Sequence, residues 1–169
     1  MSAETKPANG TAGKPPGGFG NVTRETLAST QGLELLKGML DGRYPAPPIA
    51  ETLDFGMVEV SAGKCVFTGT PSRKHYNPSG TVHGGFAATL LDSAMGCAVH
   101  TLVPQGKGFT TLEIKINYVR PMIEGMGEVR CEASIINIGK TVATSEGKIL
   151  DAKGRLIAHG TTTCLIFDI

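Results

Sequence analysis

The longest apolar pattern in the chain, FAATLLDSAMGCAVHTLV, runs from Phe86 to Val103. It is apolar on nearly every face of a helix, and helices of that kind are buried all round. A helix from about Gly84 to Val103 follows, stopped by Pro104 and Gly106. Beyond it the period changes from helical to alternating. Leu112, Ile114, Ile116 and Tyr118 alternate with Thr111, Glu113, Lys115 and Asn117, which predicts a half-buried strand with an apolar and a polar face. Three further strands are predicted over 128–138, 141–150 and 155–166, joined by short turns at Ile138-Gly139-Lys140 and Asp151-Ala152-Lys153-Gly154. Before the central helix, Thr23 heads a capped amphipathic helix carrying Leu27, Leu33, Leu35, Leu36, Met39 and Leu40, ended by Pro45-Ala46-Pro47-Pro48. Two strands near 52–60 and 64–70, split by Ala62-Gly63, form a hairpin, and a turn-rich stretch over 71–82 leads into the helix. The order is that of an α+β domain, an antiparallel sheet packed on one long helix.

Composition narrows the function classes. The chain has 169 residues, enough for one domain with a real core. Residues 1–21, rich in Gly, Pro, Ala and small polar side chains, read as a disordered tail. Residues 22–50 form the helix and Pro-rich connection, and 51–169 the main domain. With 16 basic against 15 acidic side chains and a net charge of +1, there is no basic stripe for nucleic acid and no polybasic membrane anchor. Cys65, Cys97, Cys131 and Cys164 are widely spaced without a Cys-x-x-Cys pair, which suits a reducing cytoplasm better than a disulfide scaffold or a zinc site. No signal peptide or membrane-length apolar run is evident, so the expectation is a soluble cytoplasmic protein.

One residue breaks the apolar helix. Asp92 is the only charged side chain between Phe86 and Val103, and a buried carboxylate costs several kcal/mol unless it is paired, hydrogen-bonded or neutral. Burial alone leaves two readings open: a structural carboxylate that caps backbone or pairs with a cation, or a catalytic one. The helix start supplies a complement. Gly84 and Gly85 let a ligand approach the backbone, and the free first-turn N–H groups carry partial positive charge suited to polarising a carbonyl. Gly84 and Asp92 are eight residues apart, roughly 12 Å along a helix axis. If both act on one carbonyl carbon, they must come from different subunits related by a two-fold axis.

Asn77-Pro78-Ser79-Gly80-Thr81-Val82-His83-Gly84-Gly85, followed by Leu90-Leu91-Asp92 and by Asn117-Tyr118-Val119-Arg120-Pro121, resembles the hotdog-fold acyl-CoA thioesterases of the phenylacetate-degradation (PaaI-like) type, over roughly residues 50–167. The resemblance implies a sheet wrapped around a long helix, dimers that pair into tetramers, and hydrolysis of acyl-CoA or aryl-CoA thioesters without metal or bound cofactor. It implies that the Gly84 N–H and the Asn77 amide hold the thioester carbonyl. Asp92 from the partner subunit would act as nucleophile or as base for water, and Thr111 would orient that water. One branch of the family carries Glu at the acid position with Thr one turn later. Here Gly96 follows one turn after Asp92, and the chain resembles the Asp branch.

Other candidates carry less. His83, with Gly85 beside it, either contacts the substrate or fixes the turn before the helix. Arg120 and Lys140, with Arg73, Lys74 and Arg155, are strand-end or loop cations that either meet the CoA phosphates or are solvated surface charge. Cys97 and His100 lie one turn apart but lack an orienting third group, as a thiol nucleophile would need. His75, in a polar loop, and His159, in a late strand, lack the spacing of a metal site. The leading expectation is thioester hydrolysis. Its rival is a non-catalytic acyl-CoA-binding domain of the same fold, and Asp92 separates the two, because a binder has little use for it.

Overall fold

The computed structural model describes residues 14–169; the expected tail over residues 1–13 lies outside the described residues. Residues 18–20 run beside 46 through Gly20 N–H to Ala46 C=O and Ala46 N–H to Gly18 C=O, both 2.9 Å. Helix α1 spans Arg24–Ser29 and α2 Gly32–Asp41. Thr23 caps α1 by accepting the Thr26 N–H, as the Thr23-x-x-Thr26 pattern suggests. The single helix read from periodicity is thus two. Thr30 and Gln31 are extended, and the break lets Gly32 abut α4, the long helix over Gly84–His100. A Cβ on Gly32 would lie 1.9 Å from the His100 carbonyl oxygen. A short helix α3, Pro48–Leu53, occupies what reads as the start of a strand. Pro48, its first residue, lacks only an N–H that the first turn leaves unpaired.

The strands are β1 Phe55–Ser61, β2 Lys64–Gly69, β3 Lys107–Tyr118, β4 Val129–Ile138, β5 Val142–Leu150 and β6 Leu156–Asp168. They form one antiparallel sheet in the order β1-β2-β4-β5-β6-β3. Strand β3 therefore follows α4 in sequence but closes the far side of the sheet against β6. Helix α4 lies across the sheet face. Leu90, Leu91, Ala94, Met95, Ala98 and Val99 are fully buried, and Cys65, Val129, Cys131 and Ile149 of the sheet are equally inaccessible. Each large apolar side chain so buried contributes about 1.5–3 kcal/mol. No helix among the described residues is long and apolar enough to cross a membrane.

Strand β3 departs from strict alternation at one point. Its pairing with β6 shifts between Thr111 and Glu113, so Leu112 is a bulged residue. Leu112 is 58 % exposed, whereas Ile114 and Ile116 are partly buried against the core. The expected apolar face containing Leu112 is corrected accordingly. The extra residue turns the first half of the strand over, so that Phe109 packs on Gly96 of α4 and Thr111 turns inward beside it. Bulges next to sites re-aim side chains in this way.

Candidate functional site

The inward turn of Thr111 places its hydroxyl on Asp92: Thr111 Oγ1 donates to Asp92 Oδ1 at 2.9 Å. Asp92 sits partly buried in the middle of α4. Among the described residues no other group bonds its carboxylate, so Oδ2 is left for a water or a substrate atom. This is neither the capped nor the cation-paired arrangement of a structural carboxylate. Beside the pair lies Cys164 of β6, across the strand register from Thr111. Burial raises the Cys164 thiol above its ordinary range, hydrogen bonds from Thr111 and Thr162 oppose this, and the nearby Asp92 adds to the rise. The thiol is therefore held protonated.

The start of α4 is built by three side chains. His83 is the N-cap, and its Nδ1 accepts the Gly85 N–H at 2.8 Å. That bond leaves the neutral ring with its proton on Nε2, and the ring is exposed. His83 thus fixes the turn, one of its two expected roles, and Gly85 offers no free N–H. The Gly84 N–H, first of the helix, has no intrahelical acceptor. Tyr118, at the end of β3, lies across it: the Tyr118 hydroxyl donates to the Gly84 C=O at 3.1 Å, and a Cβ on Gly84 would meet the Tyr118 ring at 3.2 Å. A cavity of about 320 Å³ opens beside Gly84, lined by Val82, Tyr118, Val119, Pro121 and Met122 among others. Phe86 and Met95, candidate pocket residues in the sequence, are core instead, 3 % and 0 % exposed.

Asn77 shapes the preceding loop. Its Oδ1 accepts the N–H groups of Ser79 and Thr81 at 2.9 and 3.3 Å, and its Nδ2 donates to Thr81 Oγ1 at 3.0 Å. One of the two Nδ2 hydrogens is thereby used and one remains. The Arg120 guanidinium donates to the Leu156 C=O and clasps the end of β3 to the start of β6. Lys140 is exposed in the β4–β5 turn, at the opposite end of β3, where its charge helps lower the Asp168 carboxyl behind the closer Lys107. Arg120 and Lys140 therefore do not share one site within a chain. Gly84, His83, Asn77 and Tyr118 gather at the helix start, and Asp92 and Thr111 form a second group two turns along.

Two groups escaped the reading of the sequence. Tyr118 carried no sign beyond its place in an alternating strand. His75 lies in a stretch that looks like polar loop, yet it is 6 % exposed and stacked on Phe86 with ring centroids 4.5 Å apart. The Cys97 and His100 pair does not gain a third group. Burial lowers His100 to about 4, and its ring tilts against Phe109. Among the described residues no three His, Cys, Asp or Glu side chains cluster to hold a metal ion.

Comparison with known proteins adds to this geometry. The family profile described as "Thioesterase superfamily" matches residues 79–158. A protein of Halobacterium salinarum is 32% identical over 101 residues, 55% of this chain; the match spans 65% of that relative's length. Human acyl-coenzyme A thioesterase 13 is 32% identical over 108 residues, covering 63% of this chain and 76% of that protein. A crystal structure of a phenylacetic acid degradation-related protein from Ralstonia eutropha JMP134 superposes with a TM-score of 0.70 at 28% identity, covering 77% of this chain and 98% of that one. With the helix-in-sheet architecture and the His83-Gly84-Gly85 helix start already in place, these matches settle the lineage: the chain belongs to the thioesterase superfamily, as a hotdog-fold member of the phenylacetate-degradation (PaaI-like) type.

Proposed function

We propose that the protein hydrolyses acyl-CoA or aryl-CoA thioesters to the free acid and CoA, with the chemistry carried by its own side chains and CoA entering as part of the substrate. The observation that carries this reading is the Thr111–Asp92 hydrogen bond, which orients one carboxylate oxygen and leaves the other for attack or for water activation. The Gly84 N–H and the remaining Asn77 N–H polarise the thioester carbonyl. A preorganised donor of this kind lowers a barrier by about 3–4 kcal/mol. The carboxylate acts as nucleophile or as general base for water.

In this reading the active unit is a homodimer, and two dimers assemble into a tetramer. Within one chain the helix start and Asp92 are roughly 12 Å apart, too far to meet at one carbon. Strand β3 is a long edge strand with its outer backbone groups unpaired, which favours pairing with a second copy. Antiparallel pairing of two β3 edges brings the helix start of one copy toward Asp92 of the other, and brings the Lys140 end of one chain beside the Arg120 end of its partner. The protein acts in the cytoplasm, where CoA thioesters and four free thiols are both at home.

The test is release of free thiol from a panel of short, long and aromatic acyl-CoAs, run beside Asp92→Asn. Hydrolysis by the parent and its loss in the variant is the expected result. A parent that binds these thioesters without cleaving any of them is a binding domain instead.

A further inference from the structure

The most heavily buried imidazole of the loop before α4 is His75, and its surroundings are unusual for a side chain of this polarity. It sits at the end of a 3-10 turn over Arg73–His75 and closes a reciprocal cap with Ser72: the His75 N–H donates to the Ser72 C=O at 3.0 Å, and the Ser72 N–H donates to His75 Nδ1 at 3.2 Å. The Ser72 hydroxyl also approaches Nδ1 at 3.4 Å. In a capping box of this form the third residue is ordinarily Glu or Gln, exposed to water. Here the ring is turned inward onto Phe86, in the first turn of α4. The His75 C=O accepts the His83 N–H at 2.7 Å, directly before the Gly84 N–H. The ring therefore joins the 3-10 turn to the helix start from two sides.

Because Nδ1 accepts a backbone N–H, the neutral ring must carry its proton on Nε2. That nitrogen is buried and has no partner. A buried donor left without an acceptor costs stability, and a phenyl ring would fill the same space without that cost. Burial lowers the His75 pKa, Lys74 lowers it further and Asp54 opposes them; Lys74 and Asp54 face each other at 3.5 Å. The neutral, Nδ1-accepting form is thus the one the fold retains.

We infer that His75 is a positioning residue for the proposed thioester hydrolysis: its neutral imidazole pins the loop over 72–83 to the first turn of α4, and so aims the Gly84 N–H at the substrate carbonyl. The inference rests on the function proposed above. A residue kept only for packing and one kept for aim respond oppositely to substitution. His75→Phe keeps the stack on Phe86, removes the unpartnered Nε2–H and deletes the acceptor for Ser72. His75→Asn loses the stack but keeps an oxygen near the Nδ1 position.

The experiment uses the full chain and whichever acyl-CoA of the panel the parent cleaves. His75→Phe should fold with a melting temperature at or above that of the parent, while kcat falls roughly tenfold and KM stays within about twofold. His75→Asn should melt lower yet recover kcat to within about threefold of the parent. Parental kcat in His75→Phe, or no recovery in His75→Asn, overturns the inference. Side-chain nitrogen NMR of the parent should show His75 as the neutral Nε2–H tautomer with a titration midpoint below 6.5, and the Gly84 amide resonance should move in His75→Phe. An Nδ1–H tautomer or an unmoved Gly84 amide also overturns it. Should the parent cleave no thioester, the hydrolysis reading falls by itself, and the two NMR results still decide whether His75 holds the helix start.

Discussion

Asp92 is a single charge in an apolar helix, and its surroundings turn that anomaly into a specific chemical expectation. The Thr111 hydroxyl binds one oxygen and leaves the other exposed to the site. Asp92→Asn should lower kcat by at least about a hundredfold with the fold intact, the range general acid–base groups supply. Thr111→Ala should lower it roughly tenfold, about 1.4 kcal/mol of barrier, and Thr111→Ser should restore it. Steady-state thiol release reads all three. A second residue-scale expectation concerns acid. The folded chain holds His100 near 4 because burial disfavours the charged ring, while the unfolded chain protonates it at its ordinary 6.5. The unfolded state therefore gains protons first as pH falls. Stability present above pH 6.5 should be lost progressively down to about pH 4, by at most about 3 kcal/mol. Urea midpoints measured across that window should fall, and His100→Gln should flatten the dependence.

At the scale of elements, two joints set where the site groups end up. Helix α2 reaches α4 through Gly32, where any Cβ would overlap the His100 carbonyl. Gly32→Ala should cost about 1–3 kcal/mol in chemical denaturation. The second joint is the bulge at Leu112. Deleting Leu112 restores strict alternation and turns Lys107–Thr111 over. Thr111 then leaves Asp92, and kcat should fall at least as far as in Thr111→Ala. These joints also mark what the sequence could reveal. The periods of α4 and of the strands after it were legible because core contact imposes them, and Asn77, His83, Gly84 and Asp92 stood out by type and spacing. The bulge was not legible, because Leu112 has the polarity of an inward residue and only its partner strand decides otherwise. The break between α1 and α2 was hidden because Gly32 is required by a contact with His100, 68 positions along the chain. His75 looked like polar loop because the ring that buries it, Phe86, belongs to another element.

For the whole molecule, the proposed site exists only when two copies meet. Sedimentation should show a dimer or tetramer at assay concentrations. Mixing an inactive Gly84→Val variant, in which the side chain collides with Tyr118, with inactive Asp92→Asn should recover partial thiol release, and no recovery counts against shared sites. Strand β3 touches Asp92 through Thr111 and Gly84 through Tyr118, and in the proposed dimer those two contacts serve different active sites. A defect confined to Asp92 of one subunit would silence one site and leave the other. A defect that unseats β3 would reach both, including the one whose carboxylate comes from a normal partner. In a cell carrying one normal and one altered copy of the gene, lesions in this strand would therefore behave as dominant and lesions at Asp92 as recessive.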